Sequence, residues 1–460
     1  MKTHQLILLT TALFITLFYG ENLGLNFGIL GLGYALLTFF KTPDRNRTRP
    51  FFLLFVTTIL SSFAFAWYGD VPSFFAVVIS GILLAFKSKS RDLKMLLVIP
   101  VFIVNFFTFI YRFFQFDQWF PKTNKSGSLQ KFISVFIIPA ILILVFFGIY
   151  SLGSSHFSGL FRDFELDFNF WEFFILGALG FFIAFNFWNF QIYNFIYSQN
   201  HFLKNDFVNE DKIQKPTYSF LDINAERKSG IVSLVALNIL LIIFIITFNY
   251  EQFIETPKTP NQLSAETHER VNAVILSIIM AIVVIMFYFK GYFNFDKKAN
   301  SLKILAKIWI FLNVVLVISA FAKNGEYIIN LGLTYKRLGV IAFLLLAIIG
   351  LIVTFIKIQR EKTNAFLFNQ MIWYFYGTIL LCSFVNWGNL ITNYNIAVNK
   401  GVESTFLSGL NFNDEVRRDY FLQNKLEGQY LEISREKEIS RMQSKTFLSK
   451  ALYYEFLPNK

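Results

Sequence analysis

Apolar residues in this chain come in continuous runs. In order they cover Gln5–Tyr19, Leu25–Phe40, Phe51–Tyr68, Val71–Phe86, Met95–Tyr111, Phe132–Ser151 and Phe173–Tyr197. Five more follow at Ile231–Tyr250, Ala273–Phe289, Ile308–Ala322, Val340–Ile358 and Met371–Trp387. A membrane-spanning barrel would show short alternating segments instead. The pattern therefore predicts an all-α, polytopic bundle of about 12 transmembrane helices, since a helix of roughly 20 apolar residues crosses a bilayer. The expected organisation is a first set of spans over 1–197, a polar connector over 198–230, a second set over 231–387 and a polar tail over 388–460.

The connectors are short and polar. Gly20–Gly24 and Gly69-Asp70 close two hairpins, and the loops between them are basic, with Lys41, Arg45, Arg47 and Arg49 in one and Lys87, Lys89, Arg91 and Lys94 in the next. Short basic loops stay on the cytoplasmic side, so these hairpins put the N-terminus inside. The second half prefers the opposite orientation: connectors 198–230, 290–307 and 359–370 are basic, while 152–172 and 251–272 are acidic. One extra or missing crossing between Met95 and Glu172 would reconcile the halves. Phe164, Leu166, Phe168 and Phe170 alternate there, a pattern for an interfacial segment or a short strand. Trp119-Phe120-Pro121 reads as another interfacial element. The first run follows Lys2 and lacks a small-x-small cleavage site, which predicts an uncleaved helix.

Composition narrows the function. The chain has 55% hydrophobic and 16% charged residues, 61 Phe, and a net charge of +12. An average soluble domain carries about 25% charge, so the membrane reading gains weight. Most basic residues flank spans, and the positive-inside effect accounts for them without a nucleic-acid partner. The single cysteine, Cys382, excludes a Cys-rich metal site, and the four histidines are scattered. No cofactor or metal is expected. The expected partners are the bilayer and a second membrane protein or a second copy of the chain.

A few polar groups need an account. Asn186 and Asn189 share a helix face, as interhelical hydrogen-bonding groups or as the polar lining of a cavity. Glu226 and Arg227 precede one span and suit headgroup anchoring. Glu269 and Arg270 lie in Glu266-Thr267-His268-Glu269-Arg270, which lacks the second histidine of a metalloprotease helix because Asn272 occupies that place. Lys336 and Arg337 precede another span, where basic side chains snorkel, and Asn386 closes the last one. The tail holds two charge clusters, Asp414-Glu415-Val416-Arg417-Arg418 and Ser434-Arg435-Glu436-Lys437-Glu438, with apolar spacing that suits short amphipathic helices.

With these residues in view, the second half resembles an uncharacterised family of bacterial multi-pass membrane proteins, a domain of unknown function of the DUF4173 type. The resemblance rests on Ala225–Gly230, on Glu266–Val271, on Leu331–Arg337 and on Val385-Asn386-Trp387 with Asn393-Tyr394-Asn395, and covers residues 220–400. It implies a protein of the bacterial cytoplasmic membrane and no activity. No phosphate-binding loop, nucleophile elbow or metal cluster is evident. A dispersed intramembrane enzyme would have to use Glu269, Arg270, Lys336 and Arg337. The expected function is a non-enzymatic structural, regulatory or complex-forming membrane subunit. The alternative is a transporter or permease for an uncharged or lipid-like solute.

Overall fold

The computed structural model describes residues 1–119, 135, 138–154, 157, 169–213, 216, 220–254, 260–426 and 430–458. Its regular structure is helical; among these residues the only strand-like pairing is one isolated bridge, between Asp206 and Lys362. The chain forms two compact units. Unit 1 comprises Met1–Arg91, Val98–Tyr193 and Lys445–Leu452, and unit 2 comprises Asp92–Leu97, Asn194–Ser444 and Tyr453–Lys460.

Unit 1 contains α1 (Thr3–Phe18), α2 (Leu25–Lys41), α3 (Arg49–Tyr68), α4 (Val71–Lys89), α5 (Val98–Phe107), α6 (Phe109–Phe114), α7 (Ile138–Gly153) and α8 (Phe170–Trp188). Local chemistry sets the boundaries. Gly69 ends α3 in the left-handed region at φ 63, and Asp70 starts α4 by accepting the Ser73 amide at 3.0 Å. Asn169 does the same for α8 through the Glu172 amide. Helix α3 packs on α2 and α4, and α1 packs on α8. At Gly31 a Cβ would lie 2.4 Å from the Ser62 hydroxyl, so glycine is what lets α2 approach α3 this closely. Residues 445–452 lie along the turn before α2: the Leu25 and Asn26 amides donate to the carbonyls of Lys450 and Leu448 at 3.0 and 3.1 Å.

Two expected spans of unit 1 are shorter than their apolar runs. The run Phe173–Tyr197 leaves the helix after Trp188, and the run Met95–Tyr111 breaks at Thr108. In both places side chains take over the backbone hydrogen bonding that a continuous helix would satisfy internally. Residues 132–134 and 136–137 of the expected sixth span, Phe120-Pro121 and the alternating residues Phe164, Leu166 and Phe168 lie outside the described residues.

Unit 2 contains α9 (Ile223–Phe253), α10 (Pro260–Tyr288), α11 (Asn300–Leu331), α12 (Tyr335–Gln359), α13 (Asn364–Phe384), α14 (Trp387–Val398), α15 (Asp414–Gln423) and α16 (Tyr430–Gln443). Helix α11 is central and packs on α9, α10 and α12 through Leu302, Ala306, Leu316 and Val317. Asp222, Thr334, Thr363 and Asn386 each accept an amide in the first turn of the helix they precede. The last cap shortens the expected span Met371–Trp387: α13 ends at Phe384, and Asn386 begins α14.

Among the described residues, seven helices are long and apolar enough to cross a membrane. They are α3, α4, α8, α9, α12, α13 and the stretch containing α11. Four further apolar helices are shorter: Thr3–Phe18, Leu25–Lys41, Met95–Phe107 and Asn272–Tyr288.

The tail forms short helices, as its apolar spacing suggests, and buries part of its charge. Asp414 is fully buried and accepts from Arg417 Nη1 at 2.9 Å, Arg435 Nε at 3.2 Å and the Tyr453 hydroxyl at 3.2 Å. Burial, and then the Asp414 carboxylate, push the Tyr453 phenol well above its ordinary pKa. Its contribution to stability is complete below the unfolded value of about 10. Above that pH the unfolded chain ionises while the folded one holds its proton, so stability is lost. Proteolysis of the tail should therefore accelerate between about pH 8 and about pH 11 more in the native protein than in Tyr453→Phe. Equal acceleration in both would remove Tyr453 from this role.

Candidate functional site

Unit 1 holds an apolar cavity of about 340 Å³. Phe27 and Tyr34 of α2, Phe74 and Gly81 of α4, Phe102 of α5 and Phe187 of α8 wall it, and Asn186 supplies polarity at one side. Tyr34 lies against Phe187 edge-on at 4.6 Å and stacks on Trp188 at 5.8 Å. Gly81 of α4 leaves open space on this wall: a Cβ there would meet nothing closer than Phe187, at 4.0 Å. The cavity volume falls within the roughly 300–1,000 Å³ of ligand-binding cavities.

Asn186 is held by Arg112, the largest fully buried side chain in unit 1. The guanidinium donates to Asn186 Oδ1 at 2.5 Å, to the Asn189 carbonyl at 2.9 Å and to the Asn105 carbonyl at 2.6 Å. Asn105 in turn bridges to the backbone of Gln191 through its Oδ1 and Nδ2, at 2.8 and 2.7 Å. No carboxylate pairs with Arg112 among the described residues. Five donors in a planar fork suit this task, because they satisfy one carbonyl at the end of α8 and one where α5 breaks. Of the two amides that share a helix face in the sequence, Asn186 meets the cation through its side chain and Asn189 through its backbone carbonyl, and Asn186 also faces the cavity. Arg112 was not legible as a site residue. A signal existed: Asn105, Thr108 and Arg112 are three and four apart, a polar stripe in an otherwise apolar run.

The other candidate residues lie in unit 2, and those whose side chains are described do not form one site. Arg227 pairs with Asp296 at 2.6 Å, and Glu226 is buried in the first turn of α9. Fully buried Lys357, which the sequence reading passed over, donates to the Phe289 carbonyl at 2.8 Å just past the end of α10. Glu269 and Arg270 fall in the first half of α10, and their side chains lie outside the described residues. Lys336 is exposed. Arg337 donates to the carbonyls of Leu331 and Gly332 at the end of α11 and stacks on Tyr327 at 3.9 Å. Asn386 caps α14 and donates to the Phe412 carbonyl at 2.9 Å. Arg337 and Asn386 are thus engaged in holding helix ends together.

Fold and site define a helical membrane protein with an apolar cavity in unit 1. The chain belongs to the family described as a domain of unknown function (DUF4153), whose model matches residues 50–417. The family is therefore one of unknown function, as the sequence resemblance implied, but it is not the DUF4173 type. The match begins at α3, so it includes the cavity-lining helices α3, α4, α5 and α8 as well as the second half. No curated protein and no solved structure matches the chain significantly.

Proposed function

We propose that this chain is a non-enzymatic, multi-pass protein of the bacterial cytoplasmic membrane that binds a lipid-like molecule in unit 1 and carries or presents it. The cavity carries this reading. A purely structural or complex-forming subunit needs no apolar recess of ligand-binding size. An apolar chamber of this size excludes water and takes an apolar occupant instead. The bilayer is the nearest source of one. The scarcity of acidic groups around the chamber fits a carrier of lipid-like solutes better than a proton-coupled pump.

The test is occupancy. The purified protein in nanodiscs would be cross-linked with phospholipids that carry a diazirine in the acyl chain, and labelled peptides mapped. Labelling should concentrate on residues 27–34, 74–82 and 182–187. Gly81→Leu should intrude on the chamber and reduce that labelling about tenfold while the protein stays folded, because leucine is also a better helix former than glycine. Uniform labelling of all lipid-facing helices, unchanged in the variant, would refute the reading.

A further inference from the structure

A second cavity, of about 190 Å³, lies at one end of the apolar one. Phe187 walls both. Successive helical turns carry the wall from one to the other. On α2, Tyr34 lines the apolar chamber, and Thr38 and Lys41 line the second. On α4, Gly81 lines the first, and Ala85 and Lys89 line the second. The character changes along this path: the second chamber is walled by Lys41, Arg45 and Lys89.

Among the described residues these cations have no counter-ion. Lys41 Nζ donates to the Thr3 hydroxyl at 3.0 Å and Lys89 Nζ to the Phe190 carbonyl at 2.6 Å, and both acceptors are neutral. Neither lysine, nor Arg45, forms an ion pair with a carboxylate among the described residues. The acid on the same loop, Asp44, pairs with Arg47 at 2.8 Å. A cluster of repelling cations at the mouth of an apolar chamber is complementary to one kind of molecule, an acyl chain ending in an anion. Phosphate suits a multi-cation cradle, and basic recesses between membrane helices are where anionic headgroups bind.

We propose that unit 1 binds an anionic phospholipid, with the headgroup phosphate between Lys41, Arg45 and Lys89 and one acyl chain in the apolar cavity. This rests on the reading that the cavity holds a lipid-like molecule, and it adds the chemistry of the head.

The same cross-linking, run with diazirine-acyl phosphatidylglycerol and phosphatidylcholine in equal amounts, tests it. Labelling of the cavity peptides should favour the anionic lipid about tenfold, and Lys41→Gln/Lys89→Gln should abolish the preference while labelling by phosphatidylcholine persists. Cavity labelling in the native protein without preference for the anionic lipid would overturn this proposal and leave the apolar-ligand reading intact. Absence of cavity labelling by either lipid would overturn both. A preference that survives the double substitution would place its cause outside the basic cavity. Competition by oleate at lower concentration than by phosphatidylglycerol would make the occupant a free fatty acid and refute the phospholipid. Displacement of the lipid by millimolar inorganic phosphate alone would make the basic cavity an independent anion site, against the proposal.

Discussion

Replacing Asp414 with alanine should open the tail of unit 2 at a cost of about 3–5 kcal/mol, the usual penalty for removing one partner of a buried ion pair. The magnitude follows from what remains. Arg417 is fully buried and Arg435 is 7% exposed, so the substitution leaves two guanidiniums in the interior with their shared anion gone. Glu438 compensates little, because it is half exposed and reaches only Arg435 Nη1. A second ion pair in the same tail gives the contrast. Arg418 and Glu436 form two parallel hydrogen bonds at 2.6 and 2.8 Å, yet the Glu436 side chain is 25% exposed. Water and salt screen that pair, and Glu436→Ala should cost about 1 kcal/mol or less. Hydrogen exchange of 414–458 in detergent measures both. Protection lost in Asp414→Ala and largely kept in Glu436→Ala is the expected result. Similar behaviour of the two variants would mean that the buried carboxylate is not what holds the tail.

The tail also shows where sequence reading stops. Both charge clusters were visible, in a tail whose apolar spacing suited short amphipathic helices. Whether Asp414 faces water or Arg435 depends on a fold-back between α15 and α16, and no local pattern encodes it. The membrane helices behave differently. Their apolar runs predicted the start of α2 at Leu25, the start of α4 at Val71 and the end of α12 within a residue or two, because hydropathy and a capping residue suffice there. The reading failed where a span is broken by polar side chains. The helix α8 stops at Trp188 although apolar residues continue to Tyr197, because Arg112, 74 residues before Asn186, supplies the hydrogen bonds. The cavity was less legible still. Asn186 was a candidate for lining one, but an empty volume depends on what neighbouring helices fail to fill. Glycine 81 looks in sequence like any glycine in a membrane helix.

Arg112 decides whether the broken end of α8 is a structural necessity. Arg112→Met should destabilise unit 1 by about 2–4 kcal/mol. Three acceptors lose their donors: Asn186 Oδ1 and the carbonyls of Asn105 and Asn189. Each buried orphan costs about 1–3 kcal/mol. Against this, removing an arginine from an apolar helix relieves a burial cost of about 2.5–3.5 kcal/mol. The acceptors outweigh that relief unless they find each other's donors. Lysine separates charge from geometry. Arg112→Lys keeps the cation, but a single ammonium on a flexible stem cannot reproduce the planar fork that meets the three acceptors together. It should therefore fall closer to methionine than to the native protein in a thermal unfolding series of the purified protein. Because Asn186 also walls the apolar cavity, acyl-chain cross-linking at 182–187 should weaken in both variants. Full stability in Arg112→Lys would show that charge alone suffices at this site. Unchanged stability and unchanged labelling in Arg112→Met would separate the arginine from both the helix break and the cavity.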